Sequence, residues 1–330
     1  MLVLFMLCLG VESTAHTFSC SVVDEDEILS DVRDTYRPPE GSGIHPREAS
    51  RHHADVCDRV LVDALSDADL SIADIDVIAY SAGPGLGPCL RIGAVMARSL
   101  AYYHNKPLVP VNHAVGHIEL GIRLTRARDP LVLLVSGGHC MILAFYSNRW
   151  RVLGETLDIT LGQLLDQFGR ALGFASPCGA RIEELAERSS NYIRLPYTVK
   201  GNDVSYSGLL TYAKRLINTV DTVDICYSLQ ETAFAMLSEV TERALAFTRK
   251  MELLVVGGVA ANKRLAEMLK SVCSRHGATL HVVPIRYAGD CGAQIACTGI
   301  LAYKAGISID ISRAYVKQSW RLDTVDILWR

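Results

Sequence analysis

An α/β fold in two related lobes is the architecture this sequence predicts, and three observations predict it. Short apolar runs alternate with helical stretches along most of the chain, and that alternation builds sheets flanked by helices. A three-strand plan with a small-residue first turn occurs twice, which points to duplication. At 330 residues the chain exceeds one ordinary core and divides into two domains.

The first copy of the plan places a strand over 6–11, turns through Glu12-Ser13-Thr14-Ala15-His16-Thr17 and returns over 18–23. It breaks at Asp24-Glu25-Asp26-Glu27 and resumes over 28–32. The apolar start, residues 1–10, has no basic leader and runs straight into this pattern. It reads as a core strand, lengthened by a few residues ahead of Met6, rather than as a signal peptide. A helix opens at Pro46, a favoured first helical position. Residues 76–81 form a buried strand that ends in Ala82-Gly83-Pro84-Gly85-Leu86-Gly87-Pro88 and gives way to a helix over 89–104. A strand over 107–111 then leads into a helix carrying His113 and His117.

The second copy runs over 131–135, turns at Ser136-Gly137-Gly138-His139, returns over 140–146, breaks at Ser147-Asn148-Arg149 and resumes over 150–153. A strongly periodic helix follows over 227–250, then a strand over 252–256 that ends in Gly257-Gly258-Val259-Ala260-Ala261-Asn262. After a further helix come a strand over 280–284, the turn Tyr287-Ala288-Gly289-Asp290-Cys291-Gly292 and a helix over 293–304. The halves part near Arg128-Asp129-Pro130. This gives lobes over 1–128 and 129–300, the second with a helical insertion, and a closing segment over 301–330 that returns towards the first.

Charge and composition narrow the function. The 33 basic and 36 acidic residues leave a net charge of −3, so no global field draws nucleic acid; contact with RNA needs local patches or a partner. Ten cysteines without a Cys-x-x-Cys form neither a zinc ribbon nor a redox motif, and fit reduced, buried thiols in the cytoplasm. No stretch is long and apolar enough to span a bilayer.

His113 and His117 lie four residues apart, on one helix face, close enough to share a metal ion; two half-exposed surface histidines would show the same spacing. Ala114 stands where a zinc protease needs Glu as general base, so proteolysis is disfavoured. Asp290, in a glycine-flanked turn, is a turn-former or a helix cap by itself. If the lobes face each other it completes a two-His, one-carboxylate set suited to Fe(II) or Zn(II). Gly257-Gly258 admits a nucleotide to the backbone or simply makes a tight turn, and Asn262 has the chemistry to bond a sugar or phosphate. Asp166 and Glu183 read as well as solvated helix residues. Arg47, Arg51, His52 and His53 form a compact basic surface for RNA phosphate or a solvated helix start. The tail Lys317-Gln318-Ser319-Trp320-Arg321 interleaves aromatic and basic groups in a way that permits base stacking.

Taken together, Gly10-Val11-Glu12-Ser13-Thr14-Ala15-His16-Thr17, residues 43–53 and 112–121, Gly154-Glu155-Thr156-Leu157-Asp158, and residues 200–210, 227–244 and 256–265 carry a resemblance. The chain resembles the tRNA adenosine threonylcarbamoyltransferases, the universal glycoprotease-like family that works within the KEOPS complex in archaea and eukaryotes. It looks most like the archaeal form without a fused kinase. The resemblance implies an actin-like, hexokinase-like (ASKHA) fold with a cleft between its lobes. It places one divalent metal, Fe(II) ahead of Zn(II), on His113, His117 and Asp290. It places nucleotide and substrate contacts at Leu134, Val135, Ser136, Gly137, Gly138, Asp166, Gly179, Glu183 and Asn262. The implied reaction carries a threonylcarbamoyl group from threonylcarbamoyl-adenylate to the exocyclic amine of the adenosine 3′ of the anticodon, in tRNAs reading ANN codons, and releases AMP. Implied partners are tRNA and KEOPS subunits, including a small protein kinase/ATPase and a dimerising subunit, in the cytoplasm and without a membrane. The pattern departs from the family where Leu134 replaces a metal-ligating Tyr, His139 replaces Asn and Cys291 replaces Asn; His139 or Cys291 is then a candidate replacement ligand. Two rivals stand beside this function: an actin-fold ATPase or kinase, and a catalytically weakened scaffold subunit of the same complex.

Overall fold

The computed structural model describes residues 5–330. The expected lengthening of the first strand concerns residues 1–4, outside that range. The first lobe contains β1 (Cys8–Glu12), β2 (Thr17–Val23), β3 (Val32–Thr35), α1 (Pro46–Asp67), β4 (Val77–Gly83), α2 (Gly87–Tyr103), β5 (Leu108–Asn112) and α3 (His113–Thr125). Its sheet is ordered β3-β2-β1-β4-β5. The second lobe contains β6 (Leu131–Val135), β7 (Cys140–Tyr146), β8 (Arg149–Glu155), α4 (Leu161–Ala171) and α5 (Gly179–Ala186). A small ribbon of β9 (Val199–Lys200) and β10 (Asp203–Val204) leads to α6 (Ser207–Leu216), α7 (Thr222–Thr248), β11 (Glu252–Val256), α8 (Lys263–His276) and β12 (Thr279–Val282), after which α9 (Gly292–Lys304) crosses back to the first lobe. The sheet order is β12-β11-β6-β7-β8.

Both sheets follow one plan. Each begins with an antiparallel meander, and the first strand of that meander is then flanked by two parallel strands reached through helical crossovers. Strand termini that feed helices carry function in such sheets. Equivalent termini therefore meet across the space between the lobes, β5 entering α3 and β12 leading to α9.

The third strand departs from expectation. Residues 28–30 wrap around Val22, whose carbonyl accepts from both Leu29 and Ser30 amides, and ladder pairing resumes only at Cys20–Val32. The strand β3 is half-exposed, with polar Arg33 and Asp34 at its centre, because an edge strand needs no continuous apolar run. The return to the first lobe also comes earlier than residue 301. Helix α9 is buried over nearly its whole circumference and packs on β1, β2, β4 and α3; a helix apolar on every side must be covered on every side.

The closing segment then ties the lobes together. Ile309 pairs with Leu108, Lys317 N–H donates to the Ala82 carbonyl at 2.7 Å, and Ile327 N–H donates to that of Asn148 at 2.8 Å. The guanidinium of Arg330 donates to both carboxylate oxygens of Glu119 at 3.1 and 3.0 Å and lies over the rings of Phe145 and Trp150. Within this segment Lys317 covers the Trp320 ring at 4.9 Å, and Trp320 packs on the core of the first lobe. Within the aromatic-basic tail, Trp320 is half-buried, and Lys317 and Arg321 are exposed. His53 is fully buried against Phe18 and His52 is held by Asp34 at 2.8 Å, which reduces the basic surface on α1 to Arg47 and Arg51. All ten thiols are free, and all but Cys57 are buried. No helix among the described residues is long and apolar enough to cross a membrane.

Candidate functional site

Asn112, the last residue of β5, caps α3 by accepting from the Ala114 and Val115 amides at 3.1 and 3.2 Å. The cap starts the helix at His113 and sets His117 one turn later on the same face. Their rings lie 4.7 Å apart at 84°. From the other lobe, the turn before α9 brings Asp290, whose Oδ1 lies 3.5 Å from His113 Nε2 and 3.3 Å from His117 Nε2. One donor atom from each of the three residues falls within 4.8 Å of the others, and among the described residues this is the group able to hold a metal ion.

The surroundings of this group fit a cation. Glu12, fully buried at the end of β1, accepts from His113 Nδ1 at 2.9 Å. Because a carboxylate can only accept, Nδ1 carries a proton, and Nε2 is left facing Asp290. A carboxylate behind a histidine is the usual way to orient a metal-ligating ring. Thr14 and Gln294 close around the same ring edge at 3.3 and 3.0 Å. Burial opposes charge on His113, yet Glu12 and Asp290 outweigh it and raise its pKa to about 9. Burial dominates at His117 and lowers its pKa. Desolvation of the half-buried Asp290 opposes its charge, but the two imidazoles hold its carboxyl well below the usual range. The half-buried Asp290 carboxylate thus meets both imidazoles, with the buried Glu12 behind His113, a donor set of nitrogen and oxygen that suits a divalent ion.

Beside this centre the β6–β7 turn is closed on itself. Ser136 Oγ accepts from the Gly138 and His139 amides at 3.2 and 3.0 Å, and Ser136 N–H donates to the His139 carbonyl at 2.7 Å. Space is open where side chains would stand at Gly137, Gly138 and Gly258, so bare backbone lines a cradle of the kind that takes phosphate. Leu134 and Val135 are fully buried within β6; they can offer a ligand only backbone, because their side chains belong to the core. Asp166 Oδ1 accepts from Cys178 N–H at 2.6 Å and so positions Gly179 at the start of α5. Burial raises the pKa of Asp166. Glu183 is no free helix residue either: its Oε1 accepts from Lys263 N–H at 2.8 Å. The side chain of Asn262 is buried and caps α8, accepting from Leu265 N–H at 3.1 Å and donating to Gln230 Oε1 at 3.0 Å. These four residues therefore knit together the helix starts around the cradle.

Sequence reasoning passed over Glu12, Thr14 and Gln294. The signal available was Glu12 itself, a charged residue ending an apolar strand, a placement that needs a buried partner. His16, in the β1–β2 turn, has a buried Nδ1 without a hydrogen-bond partner. The His139 ring lies 6.3 Å from that of His113 at 29°; burial, then the charges of His113 and His117, lower its pKa to about 3 and keep it neutral. Cys291 turns its thiol to Gln294 Oε1 at 3.7 Å.

Comparison with known proteins agrees with this geometry. The chain is similar in fold to HypF of T. kodakarensis, with a TM-score of 0.65 at 14% identity; the match covers 92% of this chain and 48% of that one, so the chain spans about half of HypF. It is similar to the activator of 2-hydroxyisocaproyl-CoA dehydratase from Clostridium difficile, with a TM-score of 0.56 at 12% identity, covering 91% and 97%. The fold is thus the two-lobed ASKHA fold. In sequence, the chain is 51% identical over 325 residues to the tRNA N6-adenosine threonylcarbamoyltransferase of Caldivirga maquilingensis, covering 98% of each chain. It is 52% identical over 332 residues to that of Hyperthermus butylicus, covering 98% of this chain and 91% of the relative. The profile of the family TsaD, tRNA N6-adenosine threonylcarbamoyltransferase, matches residues 27–297. With most of its length inside that profile and half its residues shared with those relatives, the chain belongs to the tRNA N6-adenosine threonylcarbamoyltransferase family.

Proposed function

We propose that this transferase uses threonylcarbamoyl-adenylate as donor. The acceptor is the exocyclic amine of the adenosine 3′ of the anticodon in tRNAs reading ANN codons, and AMP is released. The observation that carries the proposal is the meeting of His113 and His117 with Asp290 from the opposite lobe, next to a backbone cradle at Gly137, Gly138 and Gly258. A divalent ion held by those three residues, Fe(II) ahead of Zn(II), supplies Lewis acidity and a template for the threonylcarbamoyl end when bound. Glu12 keeps His113 in the ligating tautomer, and Asn112 fixes the register of both rings. In this reading the open backbone at Gly137 and Gly138 takes the phosphate of the leaving AMP, with Asp166, Gly179, Glu183 and Asn262 framing the nucleotide side. An adenosine amine is a poor nucleophile, so holding both reactants in place supplies much of the acceleration.

The weak net charge of −3 favours shared binding of tRNA, with KEOPS-type subunits, a small kinase/ATPase and a dimerising subunit, contributing in the cytoplasm. Tight, salt-sensitive tRNA binding by the isolated chain would contradict that. The test of function is transfer assayed with partner subunits and tRNA. Replacing both His113 and His117 by Ala abolishes transfer while the fold persists, and an active double variant refutes the role of the metal. ATP turnover with Mg²⁺ that survives replacement of His113 and His117, without transfer, would instead identify an actin-fold phosphotransferase. A wild-type chain inactive with its full set of partners would identify a scaffold.

A further inference from the structure

We infer that a small apolar carboxylate binds in a second cavity, at the opposite ends of α3 and α9 from the proposed metal centre. This cavity measures about 340 Å³ and is walled by the later turns of both helices and by the end of the chain. His113 stands in the first turn of α3 and Arg123 in its last, about 15 Å apart along the axis, so the two sites share helices but no residues. The first support is an unmet need at two donors. Arg123 Nη2 and Trp329 Nε1 are both buried without a hydrogen-bond partner, a costly state, and both residues line this cavity. Nitrogens of His16, His53, His139 and Trp150 also lack partners, but their rings can be neutral. Among the described residues, Arg123 carries the one obligate cation in that state.

The second support is charge. The other ionic groups around the cavity are already matched, since Lys304 donates to Glu25, and Arg330 donates to both carboxylate oxygens of Glu119. Arg123 is anchored through Nη1 alone, to the Asp24 carbonyl at 3.1 Å and the Cys297 sulfur at 3.3 Å, and no carboxylate pairs with it among the described residues. One cation thus stays unmatched in a cavity that holds a second free donor, and a monoanion with two acceptor oxygens answers both. A phosphate dianion would bring more charge than that cation balances. The third support is the remaining wall: Ile122, Ile300 and Leu301 suit a short aliphatic body on the carboxylate, and the volume is that of a small-molecule site. Lys304 is exposed and Glu25 half-buried, which gives a solute a way in.

The experiment titrates isovalerate into the full-length chain carrying isotope-labelled tryptophan and follows the indole N–H signals by NMR, with Trp329→Phe identifying the Trp329 signal. The expected result is a saturable shift of that signal, complete by about 10 mM, while the Trp320 signal stays in place. The neutral isostere isovaleramide should leave the Trp329 signal unmoved, and Arg123→Gln should weaken isovalerate binding at least about tenfold. The Trp320 signal reports whether that variant has folded. Trp329→Phe, read by calorimetry, should also weaken isovalerate, at least about threefold. N-acetylglycyl-leucine distinguishes the sources: tighter binding of isovalerate supports a free acid, and tighter binding of the peptide supports the carboxylate of a chain end. No shift with either acid, an equal shift with isovaleramide, or a shift with inorganic phosphate alone would overturn the inference. Wild-type affinity in either folded variant would overturn it as well.

Discussion

In the first lobe, the glycine-rich turn after β4 is filled by the chain's own tail; in the second, the equivalent turn after β11 stands open. A side chain at Gly83, where φ is +139°, would meet the Lys317 carbonyl oxygen at 2.0 Å, and Gly85 N–H donates to the Gln318 carbonyl at 3.1 Å. In the second lobe, a side chain at Gly257, where φ is +95°, would meet the Val135 carbonyl oxygen at 2.4 Å, but one at Gly258 would meet nothing within 4 Å. The meander turns differ in the same sense. Thr14 in the first lobe accepts from the Leu86 amide and reaches His113, whereas Gly137 and Gly138 in the second face open space. The closing segment thus fills one of two equivalent turns and leaves the other open, and on the proposed function the open one is the nucleotide side.

The sharpest way to break this comparison is to alter the paired glycines. Gly257→Ala forces a Cβ into backbone at a left-handed φ and should cost about 4 kcal/mol in denaturant unfolding. Gly258→Ala should cost about 1 kcal/mol or less while weakening AMP binding at least about tenfold, a step of about 1.4 kcal/mol, as read by calorimetry. Unchanged AMP affinity in Gly258→Ala would show that the open turn is not the nucleotide side. Gly83→Ala should destabilise by about 3 kcal/mol without changing AMP affinity, because its turn holds the tail.

The tail offers the next test. Arg330→Ala leaves Glu119, only 3% exposed, without its partner and should cost about 3 kcal/mol. A loss under 1 kcal/mol by thermal or denaturant unfolding would mean that the lobes are not tied there. The smallest effect concerns Asp158. Partial burial opposes its charge, but hydrogen bonds from Ser205, Ser207 and the Tyr206 and Ile159 amides outweigh it and lower its pKa to about 2. An unfolded Asp titrates near 3.9, so this stabilisation is complete above about pH 4 and disappears as pH falls through about 2. Exposure screens the gain, so Asp158→Asn should cost about 1 kcal/mol at pH 7. The difference from wild type should shrink below pH 4 in acid unfolding, and a constant difference across that range would contradict the assignment.

Much of the fold was legible because buried strands and their turns have strong local signatures. The run Leu131–Val135, the return Cys140–Tyr146 and the strand Glu252–Val256 coincide with their expected limits. The edge strand β3 was misread, since its half-exposed Val32–Thr35 lacks the apolar run that marks an interior strand. At the site, the spacing of His113 and His117 was visible, whereas the approach of Asp290 spans 173 residues and could be read only on condition that the lobes face each other, or through family resemblance. Glu12 behind His113 was missed for the same reason, because a contact between β1 and α3 leaves no periodic trace. Asn262 and Glu183 were read by residue type alone; only coordinates show that they bind the first turn of α8.

The most direct test of the central claim is anomalous diffraction from crystals of the purified full-length chain, measured at the iron and zinc absorption edges. The account predicts one peak per chain within coordination distance of His113 Nε2, His117 Nε2 and Asp290 Oδ1, joining both lobes. No peak there after metal loading, or a peak bonded to side chains of one lobe alone, would contradict it.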